Sequence, residues 1–126
     1  MLNHNVVHVA EDETLIALDV AMAIRDAGGK VAGPAASVKQ ALALIDTMSI
    51  GAAILDFNLS DGDITPVAEI LLAAGIPTIL QTGVGLPEEL IARFPDLLVQ
   101  IKPCASETLV ARLASLIADR QLTEAS

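Results

Sequence analysis

The stretch Ala52-Ala53-Ile54-Leu55-Asp56-Phe57-Asn58-Leu59-Ser60-Asp61-Gly62 decides the fold. Its first four residues are apolar without a break, the pattern of a strand buried on both faces, as in a parallel sheet covered by helices. Asp56 closes that run and opens a polar loop, so a carboxylate is carried out of the core to a sheet edge. Residues 6–10 form a matching apolar run on the N-terminal side, followed over residues 12–27 by Leu15, Ile16, Val20, Ala23, Ile24 and Ala27 at helical spacing. Gly28-Gly29 stops that helix. Residues 31–33 read as a second strand ended by Pro34, and Ser37 as the N-cap of a helix reaching Met48.

C-terminal to the opening stretch, a helix is expected over residues 63–74, ended by Gly75. Ile79-Leu80 then reads as a fourth strand, residues 97–101 as a fifth, and residues 106–120 as a last amphipathic helix. Between the fourth and fifth strands, Pro87 can occupy a first helical turn, but Pro95 ends it, so the fourth helix is at most about two turns long. Five alternations of strand and helix with short connections are the pattern of a doubly wound parallel α/β sheet.

With 126 residues the chain fits one domain, 1–126, with a core of about 5–120 and a tail at 121–126. Hydrophobic residues make up 53% and aromatics 2%, so the core is built from Ala, Val, Ile and Leu. The net charge of −9 opposes binding to nucleic acid or to an anionic membrane surface. Mean hydropathy is +0.61, yet the longest uncharged stretch, from residue 70 up to Glu88, is interrupted by Gly75, Pro77, Gly83, Gly85 and Pro87, and reads poorly as a membrane span. The single cysteine, Cys104, forms no internal disulfide, and no basic segment leading into an apolar one opens the chain. A cytoplasmic location is expected.

In a sheet of parallel strands, four groups emerge at one carboxyl edge, where open α/β sheets bind ligands. They are Glu11-Asp12 after the first strand, Asp56 after the third, Thr82-Gly83 after the fourth and Lys102-Pro103 after the fifth. Glu11, Asp12 and Asp56 would repel one another if ionised and unaccompanied. A divalent cation relieves that repulsion, and Mg²⁺ prefers oxygen ligands, one or two of them carboxylates. Lys102 adds a point charge and Thr82 a hydroxyl donor, both suited to phosphoryl oxygens. Together these parts serve phosphoryl transfer to an aspartate.

Two other readings of the same residues fail. The segment from Asp56 hints at a calcium loop, but the sixth position is Asp61 instead of Gly and the twelfth Val67 instead of Glu. A binder of phosphorylated small molecules needs a phosphate-cradling loop after the first strand, where Glu11-Asp12-Glu13 would repel the phosphate. Asp61 and Asp63 are read as loop and N-cap residues, and His4 and His8 as structural.

In this order, each at a strand end, Glu11-Asp12, Asp56, Thr82-Gly83 and Lys102-Pro103 make the chain resemble a response-regulator receiver domain from residue 6 to about 118. The resemblance implies a flavodoxin-like sheet of strand order 2-1-3-4-5. It makes Asp56 the phosphoacceptor and Glu11, Asp12, Asp56 and the Asn58 backbone carbonyl the holders of Mg²⁺. Thr82, Gly83 and Lys102 would bind the phosphoryl group, and the Lys102–Pro103 peptide would be cis. It also implies a histidine kinase or histidine phosphotransfer protein as partner, docking on the first helix at Leu15, Ile16 and Leu18, and admits a homodimer.

Ala32-Gly33-Pro34-Ala35-Ala36-Ser37 and the short fourth helix are similar to a receiver subgroup that usually carries Phe-Ala-Thr-Gly-Tyr after strand four. Here the segment is Leu80-Gln81-Thr82-Gly83-Val84, and Val99 stands where the family often has an aromatic. No aromatic therefore occupies either switch position. Val84 offers no hydrogen bond to a hydrolytic water, so a long-lived acyl phosphate is expected. A receiver-fold interaction module that works without phosphorylation is the alternative.

Overall fold

The computed structural model describes residues 1–95 and 97–125. Along the chain run β1 (Val6–Ala10), α1 (Thr14–Asp26), β2 (Lys30–Ala35), α2 (Val38–Thr47) and β3 (Ala52–Asp56). A two-stranded hairpin, β4 (Asn58–Leu59) and β5 (Gly62–Asp63), leads into α3 (Thr65–Ala73), β6 (Thr78–Thr82), α4 (Glu88–Arg93), β7 (Leu98–Ile101) and α5 (Ser106–Ala125). The five long strands pair in parallel in the order β2-β1-β3-β6-β7. With the hairpin set aside, this is the expected 2-1-3-4-5 order of a flavodoxin-like fold.

Alternation along β3 divides the interior into two cores. Ala53 and Leu55 face a layer completed by Ala41, Ile64, Val67, Ala68 and Leu71 of α2, α3 and the turn before α3. Ala52 and Ile54 face Val20 and Ile24 of α1 and Leu109, Leu113 and Ile117 of α5. β3 and β6 are buried at every residue, which is why β3 is apolar without alternation up to Asp56, whereas β6 flanks the apolar Ile79-Leu80 with the buried polar residues Thr78, Gln81 and Thr82. Each fully buried Val, Leu or Ile contributes about 1.5–3 kcal/mol, so many aliphatic side chains suffice where aromatics are scarce. His8, wholly buried in β1, donates from Nε2 to the Ala41 carbonyl at 2.9 Å and ties the sheet to α2. Burial lowers its pKa, outweighing the opposing effect of the backbone hydrogen bonds, and keeps the ring neutral.

Element bounds shift by a residue or two at several ends, and three differences go further. β2 continues through Pro34 to Ala35, because it lies at the sheet edge, where a missing N–H breaks no ladder. α5 runs to Ala125 instead of ending at Arg120, so residues 121–125 of the expected tail are helical, and Ser126 lies outside the described residues. The β4/β5 hairpin, with Leu59 opposite Gly62, stands where only a loop was expected. Both Gly33–Pro34 and Lys102–Pro103 are cis peptides. Among the described residues, no helix is long and apolar enough to cross a membrane.

Gly33 has φ +114°, and a Cβ there would lie 2.8 Å from both the Ala35 nitrogen and the Val9 carbonyl oxygen, two backbone atoms that cannot swing aside. Gly33→Ala is therefore expected to lower the free energy of unfolding by about 2 kcal/mol or more in a urea titration. A loss within about 0.5 kcal/mol, the range of an ordinary surface substitution, would contradict this account.

Candidate functional site

The hydrogen-bond ladder of the sheet extends one residue beyond its strands and fixes the backbone where the site begins. Glu11 N donates to Ala35 O (2.9 Å), Phe57 N to Gln81 O (2.8 Å) and Lys102 N to Thr82 O (3.0 Å). Three side chains from distant parts of the chain converge on this frame. Lys102 Nζ lies 3.1 Å from Glu11 Oε1 and 3.1 Å from Asp56 Oδ2. Glu11 and Asp56 are 3% and 7% exposed, so the single ammonium is shared by two carboxylates largely withdrawn from water. Asp12 stands exposed at the rim, and one carboxylate oxygen from each of Glu11, Asp12 and Asp56 lies within 4.8 Å of the others. Such an all-oxygen, strongly anionic donor set fits a small hard cation such as Mg²⁺.

Burial raises the Glu11 pKa; Lys102 counters this and the nearby Asp56 charge adds to it, leaving it above the ordinary 4.5. Burial acts to lower the Lys102 pKa, but the hydrogen bonds and charges of Asp56 and Glu11 outweigh it and hold the group above 10.5. Both shifts are upward, so both contributions are lost as pH rises, in different pH windows. Because native Glu11 keeps its proton where the unfolded chain has lost it, its contribution to stability declines as pH rises from 4.5 through the raised value. Lys102 contributes fully below 10.5 and loses that contribution as pH rises through its own raised value. In the presence of a chelator, Glu11→Gln is therefore expected to gain stability relative to the parent chain as pH rises from 4.5 towards neutrality, read from paired urea titrations. A difference that stays flat with pH would refute this assignment.

Thr82, expected just after the fourth strand, is the buried last residue of β6, and its hydroxyl is engaged within its own loop. It donates to the Gly85 carbonyl at 2.9 Å and accepts from Val84 N at 3.2 Å. Gly83 is exposed beside it, and the Val84 side chain is 90% exposed. Val99 lies half-buried in β7, paired with Leu80. Asn58 opens the hairpin next to the site.

The excess apolar residues of α1 divide between two environments. Val20 and Ile24 enter the core, whereas Leu15, Leu18 and Met22 are 82%, 51% and 61% exposed. Leu15 and Ile16 line a groove of about 780 Å³ with Asp19, Lys102, Pro103 and Cys104, so this face adjoins the acidic site. At its edge, Ser106 Oγ donates to Asp19 Oδ2 at 2.6 Å, joining α1 to the start of α5.

Asp61 was expected in a loop or at an N-cap, and the structure shows which helix it caps. Its two carboxylate oxygens accept from Val38 N (2.7 Å) and Lys39 N (3.1 Å) at the start of α2. These hydrogen bonds, Val38 first, lower its pKa. Asp63 instead serves α3, accepting from Thr65 N at 2.9 Å.

Comparison with known proteins bears on the family. No protein-family profile matches the sequence, and no curated protein does. The receiver domain of Francisella response regulator 1452 shares the fold, with a TM-score of 0.75 and 23% identity over 92% of this chain and 98% of that one. The response regulator PhyR from Brucella abortus has a TM-score of 0.77 and is 27% identical over 95% of this chain. This chain spans 50% of that protein's length. SdrG from Sphingomonas melonis Fr1 is 36% identical over 93% of this chain and 99% of its own, with a TM-score of 0.72. The chain belongs to the response-regulator receiver family. In this receiver Glu11-Asp12, Asp56, Thr82 and Lys102 all stand at or just beyond strand ends of one sheet edge, with Val84 in the loop after β6 and Val99 within β7.

Proposed function

We propose that the chain is a receiver in which Asp56 takes a phosphoryl group from a phosphohistidine of a histidine kinase or phosphotransfer protein. The observation that carries this reading is the Lys102 ammonium, 3.1 Å from both Asp56 and Glu11, with the Asp12 carboxylate beside them. An Asp56 oxygen attacks phosphorus, the P–N bond breaks, and the departing imidazole keeps that electron pair and gains a proton. Glu11, Asp12, Asp56 and the Asn58 carbonyl would hold Mg²⁺, which when bound supplies positive charge to the phosphoryl oxygens. Lys102 moves from sharing two carboxylates to contacting the transferred group. The Thr82 hydroxyl leaves the Gly85 carbonyl to donate to it, with Gly83 N–H alongside, and so releases the loop before α4.

SdrG is also known in a BeF3-activated conformation, and that anion mimics a tetrahedral phosphoryl group, which supports the same chemistry here. Leu15, Ile16 and Leu18 of α1 are proposed as the docking face, and the same exposed apolar surface would serve a homodimer. The net charge of −9 favours a protein partner over nucleic acid, and a cytoplasmic setting supplies the kinase. The output is a protein contact or the draining of phosphate from a relay.

Incubation with acetyl phosphate and Mg²⁺, read by intact mass, tests the proposal. Addition of one phosphoryl group supports it. No addition favours a phosphorylation-independent interaction module, a reading supported by the valines at 84 and 99.

A further inference from the structure

The loop that follows Asp56 is tied to α2 by contacts that bypass the sheet. Asp61, at the tip of the β4/β5 hairpin, accepts from the first two amides of α2, Val38 N at 2.7 Å and Lys39 N at 3.1 Å. Ser60 Oγ donates to the Ala36 carbonyl at 3.3 Å just before that helix. Below them Leu59 is buried in the same core as Ala41 of α2. The hairpin is thus clasped at its tip and anchored at its base.

α2 does not depend on Asp61 for its start. Ser37 already serves as its N-cap, accepting from Gln40 N at 3.1 Å. The amides of Val38 and Lys39 precede the one that Ser37 satisfies, so Asp61 takes donors the local cap leaves over. Its carboxylate is exposed, and a free aspartate there would otherwise be solvated, so the clasp restrains the hairpin more than it builds the helix.

We propose that Asp61 is a positioning residue for the acidic site: by pinning the hairpin to α2, it holds the Asn58 backbone in place to take part in binding a divalent cation. This rests on the function proposed above, in which the Asn58 carbonyl is a metal ligand. Asp61 touches neither metal nor phosphoryl group in this scheme. It acts through Leu59 and Ser60, the two residues between it and Asn58, and coupling is reciprocal, so cation binding tightens the Asp61 contacts with α2.

The test is Mg²⁺ titration of the whole chain by NMR, with no phosphodonor present, in the parent, Asp61→Ala, Asp61→Asn and Ser37→Ala. Asp61→Ala is expected to raise the Mg²⁺ Kd several-fold, approaching the roughly tenfold typical when support for a ligating group is removed. Asp61→Asn, which keeps one acceptor oxygen, falls between Asp61→Ala and the parent. Ser37→Ala weakens the same helix end through the local cap and leaves the Kd unchanged. In the parent, Mg²⁺ slows hydrogen exchange at the Val38 and Lys39 amides, and Asp61→Ala removes that effect. An unchanged Kd in Asp61→Ala, or an equal rise in Ser37→Ala, overturns the proposal while leaving the phosphoacceptor reading intact. A parent chain that neither binds Mg²⁺ nor takes up phosphoryl groups overturns both.

Discussion

Asp56→Asn is expected to abolish phosphoryl uptake from acetyl phosphate while leaving the chain folded. An amide is not the nucleophile that a carboxylate is, and no other carboxylate occupies the same place. Glu11 is withdrawn behind the Lys102 contact and Asp12 sits at the rim. The substitution also removes the Asp56 charge that helps raise the Glu11 pKa, and it frees Lys102 to pair with Glu11 alone. Stability at neutral pH in the absence of divalent cations is therefore expected to hold or rise, which separates loss of the acceptor from loss of the fold. Intact mass and urea unfolding of the same preparation read both outcomes. A variant that still gains the phosphoryl mass would move the acceptor elsewhere.

Lys102→Met is expected to slow uptake about 100-fold at saturating Mg²⁺, the usual loss when one preorganised donor to developing charge is removed. Lys102→Arg is expected to recover little, because a planar fork does not replace a point charge held between two carboxylates. The change also acts on the resting chain. Removing the ammonium leaves Glu11 and Asp56 buried with no cation within 3.1 Å, where Lys102 now stands. Losing one partner of a fully buried pair costs about 3–5 kcal/mol, and the Lys102 side chain keeps 25% exposure, so about 1–3 kcal/mol is expected near neutral pH. The deficit should shrink as pH falls and Glu11 takes up a proton, and added Mg²⁺ should restore part of it. A rate within twofold of the parent would show that Lys102 is only a structural counter-ion.

The site was legible because its residues lie at strand ends. In a parallel sheet, every strand delivers its last residue to one edge, so Glu11, Asp56, Thr82 and Lys102 could be grouped before any coordinate was known. Strand lengths were less legible. Pro34 looks like a terminator, yet an edge strand tolerates it, and edge position depends on the order of strands in space. Asp61 reads as one more loop acid because the amides it caps lie 22 and 23 residues earlier. Nothing in the local pattern marks a cap that reaches so far back.

Composition and periodicity by themselves determine the alternation of strands and helices, the aliphatic character of the two cores, the acidic balance and the gathering of carboxylates with a lysine at one edge. These are properties of residue type and spacing, and they follow from the need to bury apolar faces. Tertiary structure alone decides that one ammonium serves both Glu11 and Asp56, that the Thr82 hydroxyl is held by Gly85, and that Asp61 belongs to α2. Those choices turn on differences of an ångström in donor and acceptor position, which are set when elements distant in sequence pack together.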